Sequence, residues 1–243
     1  MKIIKLDAID STNTFLKKMA ENSLIENFTV LWAKNQTSGR GQIHTKWISK
    51  KGKNLTFSVF VRINNLPIKH QKFLNFCVAL SVYEALCEME IPKISIKWPN
   101  DIMAGKRKIS GILIENSLKG GIISSSVIGI GLNVNQKFTS ENKLNAISVK
   151  DVIGEETELS NILDIVLKKL EKNLNDLEKK NLKQLEERYL NVMYKKNIPN
   201  MFRTNQNVLF MGKIIGVSPE GKLKIELENE TIQEYGIKEV SFS

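Results

Sequence analysis

The spacing of apolar side chains along the chain predicts both strands and helices. The segment NLTFSVFVRI (54–63) places apolar residues at every second position, which predicts a strand with one inward face. The segment STNTFLKKMAEN (11–22) follows a helical spacing instead, and its first residues are typical helix caps. Residues from 68 to about 89 also place their apolar positions on one helical face, which predicts a helix packed on the sheet that contains this strand.

Four further runs before residue 135 have the composition of short strands. They are FTVLWAK (28–34), ISIKW (94–98), KISGILIEN (108–116) and IISSSVIGIGLNV (122–134). Strands and helices do not alternate regularly, as they would in a parallel sheet with crossover helices. The pattern therefore predicts an α+β fold in which helices flank a mixed sheet.

The remainder of the chain divides into a helical part and a strand-rich part. Residues 145–196 are helical in character, with Ser160 as the candidate N-cap. After NIPNM (197–201) the composition shifts to short strand-like runs around a Pro-Glu-Gly turn, which predicts a small β-barrel. We therefore expect a larger domain at residues 1–198 and a smaller one at residues 199–243.

The charge of the chain raises a question that composition does not answer. Of the 243 residues, 42% are apolar and 26% are charged, which is typical of a folded protein. The net charge of +10 is compatible with binding to nucleic acid, a nucleotide or an acidic protein. Many basic residues alternate with acidic ones, however, as in KKLEKNLNDLEKK (168–180), which indicates a solvated helix face. The charge alone does not select a function.

The sequence predicts a protein of a reducing compartment without membrane contact. The first residues, MKIIKLDAID, lack the apolar core of a signal peptide, and no apolar run reaches membrane-spanning length. Cys77 and Cys87 do not have the spacing of a metal or redox motif, so both are expected to be core thiols. We therefore expect a cytoplasmic protein.

Four short stretches contain the candidate chemistry. Ser11-Thr12-Asn13 can be a helix cap or part of a binding site, and the glycines in 36–47 let backbone N–H groups approach an anion beside Arg40. In KWPNDIMAGKRKISGILIE (97–115), the ammonium of Lys108 can face a carboxylate or a phosphate. In GIGLNVN (129–135), alternating glycines in a strand indicate close approach of a ligand or another backbone segment. The two histidines have no partners at metal-ligand spacing.

In this order, the four stretches resemble the motifs of the biotin–protein ligases, which adenylate biotin and attach it to a lysine of a carboxyl carrier protein. The matching positions are Ser11-Thr12-Asn13, Gln36, Gly39-Arg40-Gly41, Trp47, Lys97-Trp98-Pro99-Asn100-Asp101, Lys108, Gly111-Ile112-Leu113-Ile114-Glu115 and Gly129-Ile130-Gly131-Leu132-Asn133. The resemblance implies a class II synthetase-like catalytic domain, and the C-terminal tail resembles the SH3-like barrel of that family.

The resemblance also implies roles for individual residues. Those expected to contact biotin are Ser11, Thr12, Asn13, Gln36, Gly39, Arg40, Gly41, Lys108 and Gly111. Those expected to contact ATP or the adenylate are Arg40, Gln42, Trp47, Asn100, Asp101, Lys108, Gly129, Gly131 and Asn133. Lys108 and Arg40 are the expected catalytic cations, Trp47 is expected to stack on adenine, and Asn133 is expected to contact the base edge.

The resemblance further implies the cofactors and partners. ATP and biotin are the expected substrates, with Mg²⁺ near Asp101 and no metal held tightly by the protein alone. A biotin carboxyl carrier domain is the expected acceptor, and both a monomer and a homodimer stay open. Ser11 begins the first motif, so there is no room before it for the DNA-binding domain of the repressor-type ligases, and no specific DNA contact is expected.

One departure from the family pattern concerns the glycine loop. After Gly41 the family commonly continues with basic residues, but here Gln42-Ile43-His44-Thr45 follow. The loop is therefore less cationic than is usual in the family, and whether it holds an adenylate less firmly stays open, because Lys106, Arg107 or a protonated His44 can compensate. Two other functions stay open: a lipoate–protein ligase, and a basic nucleic-acid-binding module built on the C-terminal barrel.

Overall fold

A seven-stranded mixed sheet forms the larger part of the protein. The computed structural model describes residues 2–43, 45–138 and 145–243. The strands of this sheet are β1 (Lys2–Leu6), β2 (Thr29–Ala33), β3 (Leu55–Pro67), β4 (Ile94–Lys97), β5 (Asp101–Ala104), β6 (Arg107–Lys119) and β7 (Ile122–Leu132). Their order is β1-β2-β3-β7-β6-β5-β4, with β1 and β2 parallel and the other neighbours antiparallel. The predicted mixed sheet is confirmed, although β1 and β5 have no counterpart in the prediction.

The helices cover both faces of this sheet. They are α1 (Thr12–Asn22), α2 (Gln71–Glu88, after a 3₁₀ turn at Ile68–His70), α3 (Val149–Ile153), α4 (Leu159–Glu178) and α5 (Leu182–Asn191). Leu16 of α1 packs with Phe60 and Val127 on one face, whereas Phe57 and Val59 belong to the main core, which also contains residues of α2 and α4. Strand β3 is therefore buried on both faces, and its alternating pattern did not reveal the second one.

The helix starts show where local sequence was informative. Ser11 caps α1, because its side chain accepts a hydrogen bond from the Thr14 N–H at 3.4 Å. The prediction of Ser160 as a cap was wrong: Glu158 occupies the N-cap of α4, and the Ser160 hydroxyl donates to the Glu158 carboxylate at 3.2 Å. Cys77 is buried in α2 and burial raises the pKa of its thiol, but Cys87 is exposed, so only one of the two is a core thiol.

Five antiparallel strands form a second, smaller sheet at the C-terminus. They are β8 (Pro199–Thr204), β9 (Leu209–Val217), β10 (Leu223–Leu227), β11 (Ile232–Tyr235) and β12 (Val240–Phe242), in the order β11-β10-β9-β8-β12. This arrangement confirms the predicted SH3-like domain. None of the helices in the described ranges is both long and apolar enough to cross a membrane.

The small domain is attached to the larger one by polar contacts as well as by a shared core. The Lys72 ammonium of α2 donates to the Ser218 carbonyl of the small domain at 3.1 Å, and it also lies 2.8 Å from the Glu186 carboxylate of α5. The Trp98 indole N–H donates to the Gly221 carbonyl at 3.1 Å. These contacts hold the turn between β9 and β10 against the start of α2 and the end of β4. The boundary at residue 199 stays a prediction.

Candidate functional site

A cleft of about 510 Å³ lies between the large sheet and the small domain. Most of the residues predicted for the site line it: Ser11, Thr12, Asn13, Gln36, Arg40, Gly41, Gln42, Trp47, Asn100, Asp101, Lys108, Gly111, Gly129 and Gly131. These residues come from segments that are far apart in the sequence, so the fold brings together what the motifs only suggested. Gly39 and Asn133 are not among the lining residues.

A buried polar network forms one end of the cleft, where α1 meets the end of β2. Thr12 donates to Gln36 Oε1 from its backbone N–H at 2.8 Å and from its hydroxyl at 3.0 Å. The Ser58 hydroxyl donates to Asn13 Oδ1 at 2.6 Å and lies 2.7 Å from the Thr12 hydroxyl oxygen. Because Gln36 Oε1 accepts both bonds from Thr12, its Nε2 is the group left to donate to a ligand.

One residue of this network, Ser58, escaped the sequence-based assignment, and another, Gly129, has a contact that the sequence did not predict. Ser58 is fully buried on β3, but its alternating apolar neighbours made it look like an outward-facing residue. Gly129 was predicted to lie near the nucleotide, yet a Cβ at its position would lie 2.3 Å from Asn13 Oδ1. Gly129 is therefore the residue that lets Asn13 lie against β7, whatever else it contacts.

Arg40 is held at the edge of this network by a carboxylate. Its Nη2 lies 3.1 Å from Glu115 Oε1, and its Nη1 lies 3.4 Å from Glu115 Oε2 and 3.1 Å from the Thr14 hydroxyl. Asn13 donates to the same Glu115 Oε2 at 3.0 Å. The Arg40 side chain is 46% exposed, so the ion pair contributes little to stability. Its consequence is positional, because Glu115 holds both terminal nitrogens of the guanidinium of Arg40, which lines the cleft.

The centre of the cleft contains Lys108, Asp101 and Trp47. The Lys108 ammonium lies 2.6 Å from Asp101 Oδ1 and 5.6 Å from the centroid of the Trp47 ring. A Cβ at Gly131 would lie 2.4 Å from Trp47 Cε2, and one at Gly111 would lie 3.0 Å from the Lys108 Nζ. The two glycines thus form the surface on which the indole and the lysine rest. The Trp47 Nε1 is buried without a hydrogen-bond partner in the described residues.

The glycine loop folds back on itself over the cleft. Trp47 N–H donates to the Gly39 carbonyl at 2.9 Å and Gly41 N–H donates to the Thr45 carbonyl at 2.8 Å. A Cβ at Gly39 would lie 2.4 Å from the Trp47 carbonyl oxygen, so Gly39 is needed for close packing within the loop. The loop also contacts the small domain, because the Lys238 ammonium donates to the Ile43 carbonyl.

The cations that were predicted to compensate for the missing basic residues of this loop are not seen to line the cleft in the described residues. Lys106 and Arg107 are exposed and are not among the residues that line the cleft, and His44 lies outside the described residues. Lys46 and Lys238 line the cleft instead. How firmly the loop holds an adenylate stays an open question.

Asn133 is placed differently from the other predicted nucleotide contacts. It is 3% exposed, and its amide donates to the carbonyls of Lys108 at 3.4 Å and of Ile147 at 3.2 Å. These bonds brace the backbone at the start of β6, where Lys108 lies. Its predicted contact with the base edge stays a prediction.

Several lining residues carry no motif and were missed. The small domain contributes Phe202, Leu223, Ile237, Lys238, Val240, Ser241 and Phe242. No local signal connects these positions to the cleft, because their contact with it depends on how the two sheets pack. Lys97 was part of a motif but had no assigned role, and it lines the cleft as well.

The described residues do not form a protein cage for a metal. They contain no group of three or more His, Cys, Asp or Glu side chains close enough to share an ion. Asp101 is the one carboxylate among the described residues that line the cleft. This donor set fits Mg²⁺ that arrives on a nucleotide, because Mg²⁺ typically takes one or two protein carboxylates together with phosphate oxygens.

Comparison with known proteins places the chain in a family. The model of the Biotin/lipoate A/B protein ligase family matches residues 6–133. The bifunctional ligase/repressor BirA of Bacillus subtilis is 31% identical over 234 residues, which cover 95% of this chain and 71% of that protein. The biotin–[acetyl-CoA-carboxylase] ligase of Mycobacterium tuberculosis is 32% identical over 129 residues, 52% of this chain and 47% of that protein. The chain therefore belongs to the biotin/lipoate A/B protein ligase family.

A solved structure extends the similarity to the whole chain. The biotin protein ligase from Aquifex aeolicus, in complex with biotin and ATP, superposes with a TM-score of 0.80 and 31% identity. The match covers 100% of this chain and 98% of that one. The resemblance to the biotin–protein ligases, including the catalytic and SH3-like parts of the fold, is confirmed.

Proposed function

We propose that this chain is an ATP-dependent biotin–protein ligase. It joins biotin to AMP and then transfers the biotinyl group to a lysine of a carrier protein. The observation that carries the proposal is the layout of the cleft, in which a neutral polar network at one end leads to two oriented cations, Arg40 and Lys108. The similarity to relatives named as biotin ligases supports the same reading over the lipoate and nucleic-acid alternatives.

The neutral end of the cleft suits the polar ring of biotin. The ureido group carries one carbonyl and two N–H groups, and burying them without partners would be costly. Gln36 Nε2 can donate to the carbonyl, whereas the hydroxyls of Ser11 and Thr12 and the amide of Asn13 supply further polar contacts. The apolar walls from Phe57, Ile112 and Ile130 suit the thiophane ring and the aliphatic chain.

The first step brings two anions together. A carboxylate oxygen of biotin attacks the α-phosphorus of ATP, and diphosphate leaves with the electron pair of the broken P–O bond. Lys108 and Arg40 offset the charge that builds up on the phosphorus oxygens. Asp101 holds the Lys108 ammonium at 2.6 Å, and Glu115 holds the Arg40 guanidinium, so both cations are oriented before the ligands bind.

The nucleotide occupies the remainder of the cleft in this proposal. Trp47 offers an aromatic surface for adenine beside Lys108, and Asn100 and Asp101 lie on the same side of the cleft. Asp101 is the residue that would hold Mg²⁺, which supplies charge neutralisation on the phosphates when bound.

The second step transfers the biotinyl group to an amine. The amine of a carrier lysine attacks the carbonyl carbon of the mixed anhydride, AMP leaves as the acyl–oxygen bond breaks, and the nitrogen loses a proton to give the amide. Water competes for the same anhydride, so the site needs cover. The described residues of the glycine loop and the small domain supply it, because Lys238 joins them through the Ile43 carbonyl. The choice between a monomer and a homodimer stays open, and a cytoplasmic location and the absence of specific DNA binding stay predictions.

Transfer to a carrier tests the proposal. A biotin carboxyl carrier domain is incubated with the protein, ATP, Mg²⁺ and biotin, and its mass is measured. The expected result is the addition of one biotinyl group, which is abolished when the acceptor lysine of the carrier is replaced by arginine. An unmodified carrier under these conditions would contradict the assignment.

A further inference from the structure

The strand order of the large sheet gives the cleft a direction. Ser58 lies on β3 and Gly129 on β7, next to the network at Gln36, whereas Gly111 lies on β6 and Asp101 on β5. Strand β4, which ends at Lys97, forms the edge of the sheet beyond β5. Moving across the sheet from β3 to β4 thus leads from the neutral network, past Lys108, to Lys97.

Lys97 lines the cleft without a carboxylate of its own. Asp101 is its direct neighbour across the β4–β5 pair, but the carboxylate of Asp101 lies 2.6 Å from Lys108. Within the described ranges no ion pair to Lys97 forms, and its ammonium lies over the ring of Phe242 at 5.4 Å from the centroid. A ring face attracts a cation, but it does not neutralise one.

The burial and the neighbouring charges of Lys97 would favour a bound anion. Burial lowers the pKa of Lys97, Asp101 opposes this effect, and Lys108 and Lys195 lower the pKa further by repulsion. An anion placed beside Lys97 would relieve both the loss of hydration and the repulsion between the lysines. The cleft therefore holds more positive charge at this end than its own residues compensate.

The geometry of in-line displacement indicates which anion would lie at the Lys97 end of the cleft. The attacking and leaving oxygens lie on opposite sides of the phosphorus in phosphoryl and nucleotidyl transfer. If biotin lies at the network and the α-phosphate lies at Lys108, the leaving group departs away from the network, toward β5 and β4. This step rests on the proposed function, because it takes the orientation of biotin and ATP from it.

We propose that Lys97 binds the diphosphate portion of ATP and stabilises it as the leaving group, with the Phe242 ring of the small domain as the wall behind its ammonium. The bond from the α-phosphorus to the bridging oxygen breaks, and its electron pair goes to that oxygen. Negative charge then develops on the diphosphate, where the Lys97 ammonium lies. In the second step no diphosphate is present, so Lys97 has no part in transfer to the acceptor lysine.

Separate measurement of the two steps tests this proposal. Lys97→Met keeps most of the side-chain length and removes the charge. Biotin-dependent exchange of labelled diphosphate into ATP reports the first step, and transfer from supplied biotinyl-5′-AMP to the carrier reports the second. We expect Lys97→Met to slow exchange on the order of 100-fold, to leave transfer within about twofold of wild type, and Lys97→Arg to recover part of the exchange.

Lys195→Met is the matched control. The Lys195 ammonium lies 4.9 Å from the centroid of the same Phe242 ring, but it donates to Asn200 Oδ1 at 2.5 Å, and Lys195 is not one of the described residues that line the cleft. Its exchange rate should stay close to that of wild type. Equal loss of exchange and transfer in Lys97→Met, or wild-type exchange, would overturn the proposal. A wild-type protein without biotin-dependent exchange that also fails to transfer from supplied adenylate would instead count against the proposed function.

Discussion

The Lys108 ammonium lies 2.6 Å from the Asp101 carboxylate, at the centre of a cleft that two domains enclose. The two residues come from neighbouring strands, β5 and β6, whose pairing shifts register between Ile102 and Met103. Because the two side chains are in contact, Asp101 keeps the long, flexible side chain of Lys108 in one place before any ligand binds. A cation fixed in advance stabilises developing charge without the cost of reorganisation.

Lys108→Ala should abolish most adenylate formation while the protein stays folded. The pair with Asp101 is partly exposed, so its loss costs little stability, whereas the loss of a charge beside the reacting phosphate costs on the order of 10²–10³ in rate. Single-turnover formation of biotinyl-AMP measures the effect, and thermal unfolding checks the fold. Lys106→Ala, in the exposed turn before β6, is the control and should behave as wild type. A folded Lys108→Ala protein with normal adenylate formation would remove Lys108 from the mechanism.

Trp47→Ala should weaken ATP use more than biotin binding. Stacking of a base on an aromatic ring contributes roughly 1–3 kcal/mol, so we expect the KM for ATP to rise about tenfold or more. Biotin affinity without nucleotide, measured by calorimetry, should change little. Gly131→Ala should have a similar effect, because its methyl group would lie 2.4 Å from Trp47 Cε2 and displace the indole. An equal loss of affinity for ATP and for biotin in Trp47→Ala would mean that the indole mainly contributes to the packing of the cleft residues.

Ser58→Ala should weaken biotin binding although Ser58 does not line the cleft. The substitution removes the donor to Asn13 Oδ1, and an unsatisfied buried acceptor costs about 1–3 kcal/mol. Denaturant unfolding should show this loss of stability, and calorimetry should show weaker biotin binding. Ser124→Ala is the control, because the exposed Ser124 hydroxyl on β7 donates only to the Ser117 carbonyl. Unchanged biotin affinity in Ser58→Ala would show that the network does not position the ligand.

Gln42→Arg and Lys238→Met should change retention of the adenylate in opposite directions. A charge-assisted hydrogen bond contributes about 1.5–3 kcal/mol against roughly 1 kcal/mol for a neutral one, which corresponds to a several-fold change or more. Gln42 lines the cleft, and Lys238 joins the loop to the small domain. In a chase experiment, Gln42→Arg should release pre-formed adenylate more slowly and Lys238→Met faster. Equal release from wild type and both variants would show that the loop does not control retention.

The main features of the fold could be predicted because they depend on local spacing. The alternation at 54–63 and the cap at Ser11 gave β3 and α1 directly. The second buried face of β3 could not be predicted, because its partner α1 lies about 40 residues earlier and the same side chains suit either environment. Ser160 was misassigned as a cap because a serine within the first turn of a helix has the same local signature.

The sequence predicted which residues belong to the site better than it predicted the contacts between them. Motif positions such as Lys108 and Gln36 do line one cleft. The pairing of Arg40 with Glu115 and the wall formed by Phe242 could not be derived, because both depend on how distant segments pack. The roles of the glycines were the hardest to predict. Gly129 and Gly131 occupy equivalent alternating positions in β7, but Gly129 makes room for Asn13 and Gly131 makes room for Trp47.

Detection of the acyl-adenylate product tests the central claim most directly. The protein is incubated with ATP, Mg²⁺ and either biotin or lipoate, quenched in acid, and the small molecules are measured by mass spectrometry. The proposed function predicts biotinyl-5′-AMP with biotin, and little or no lipoyl-AMP with lipoate at the same concentration. Lipoyl-AMP as the main product would assign the chain to lipoate ligation, and the absence of any acyl-adenylate would contradict the proposed chemistry of the cleft.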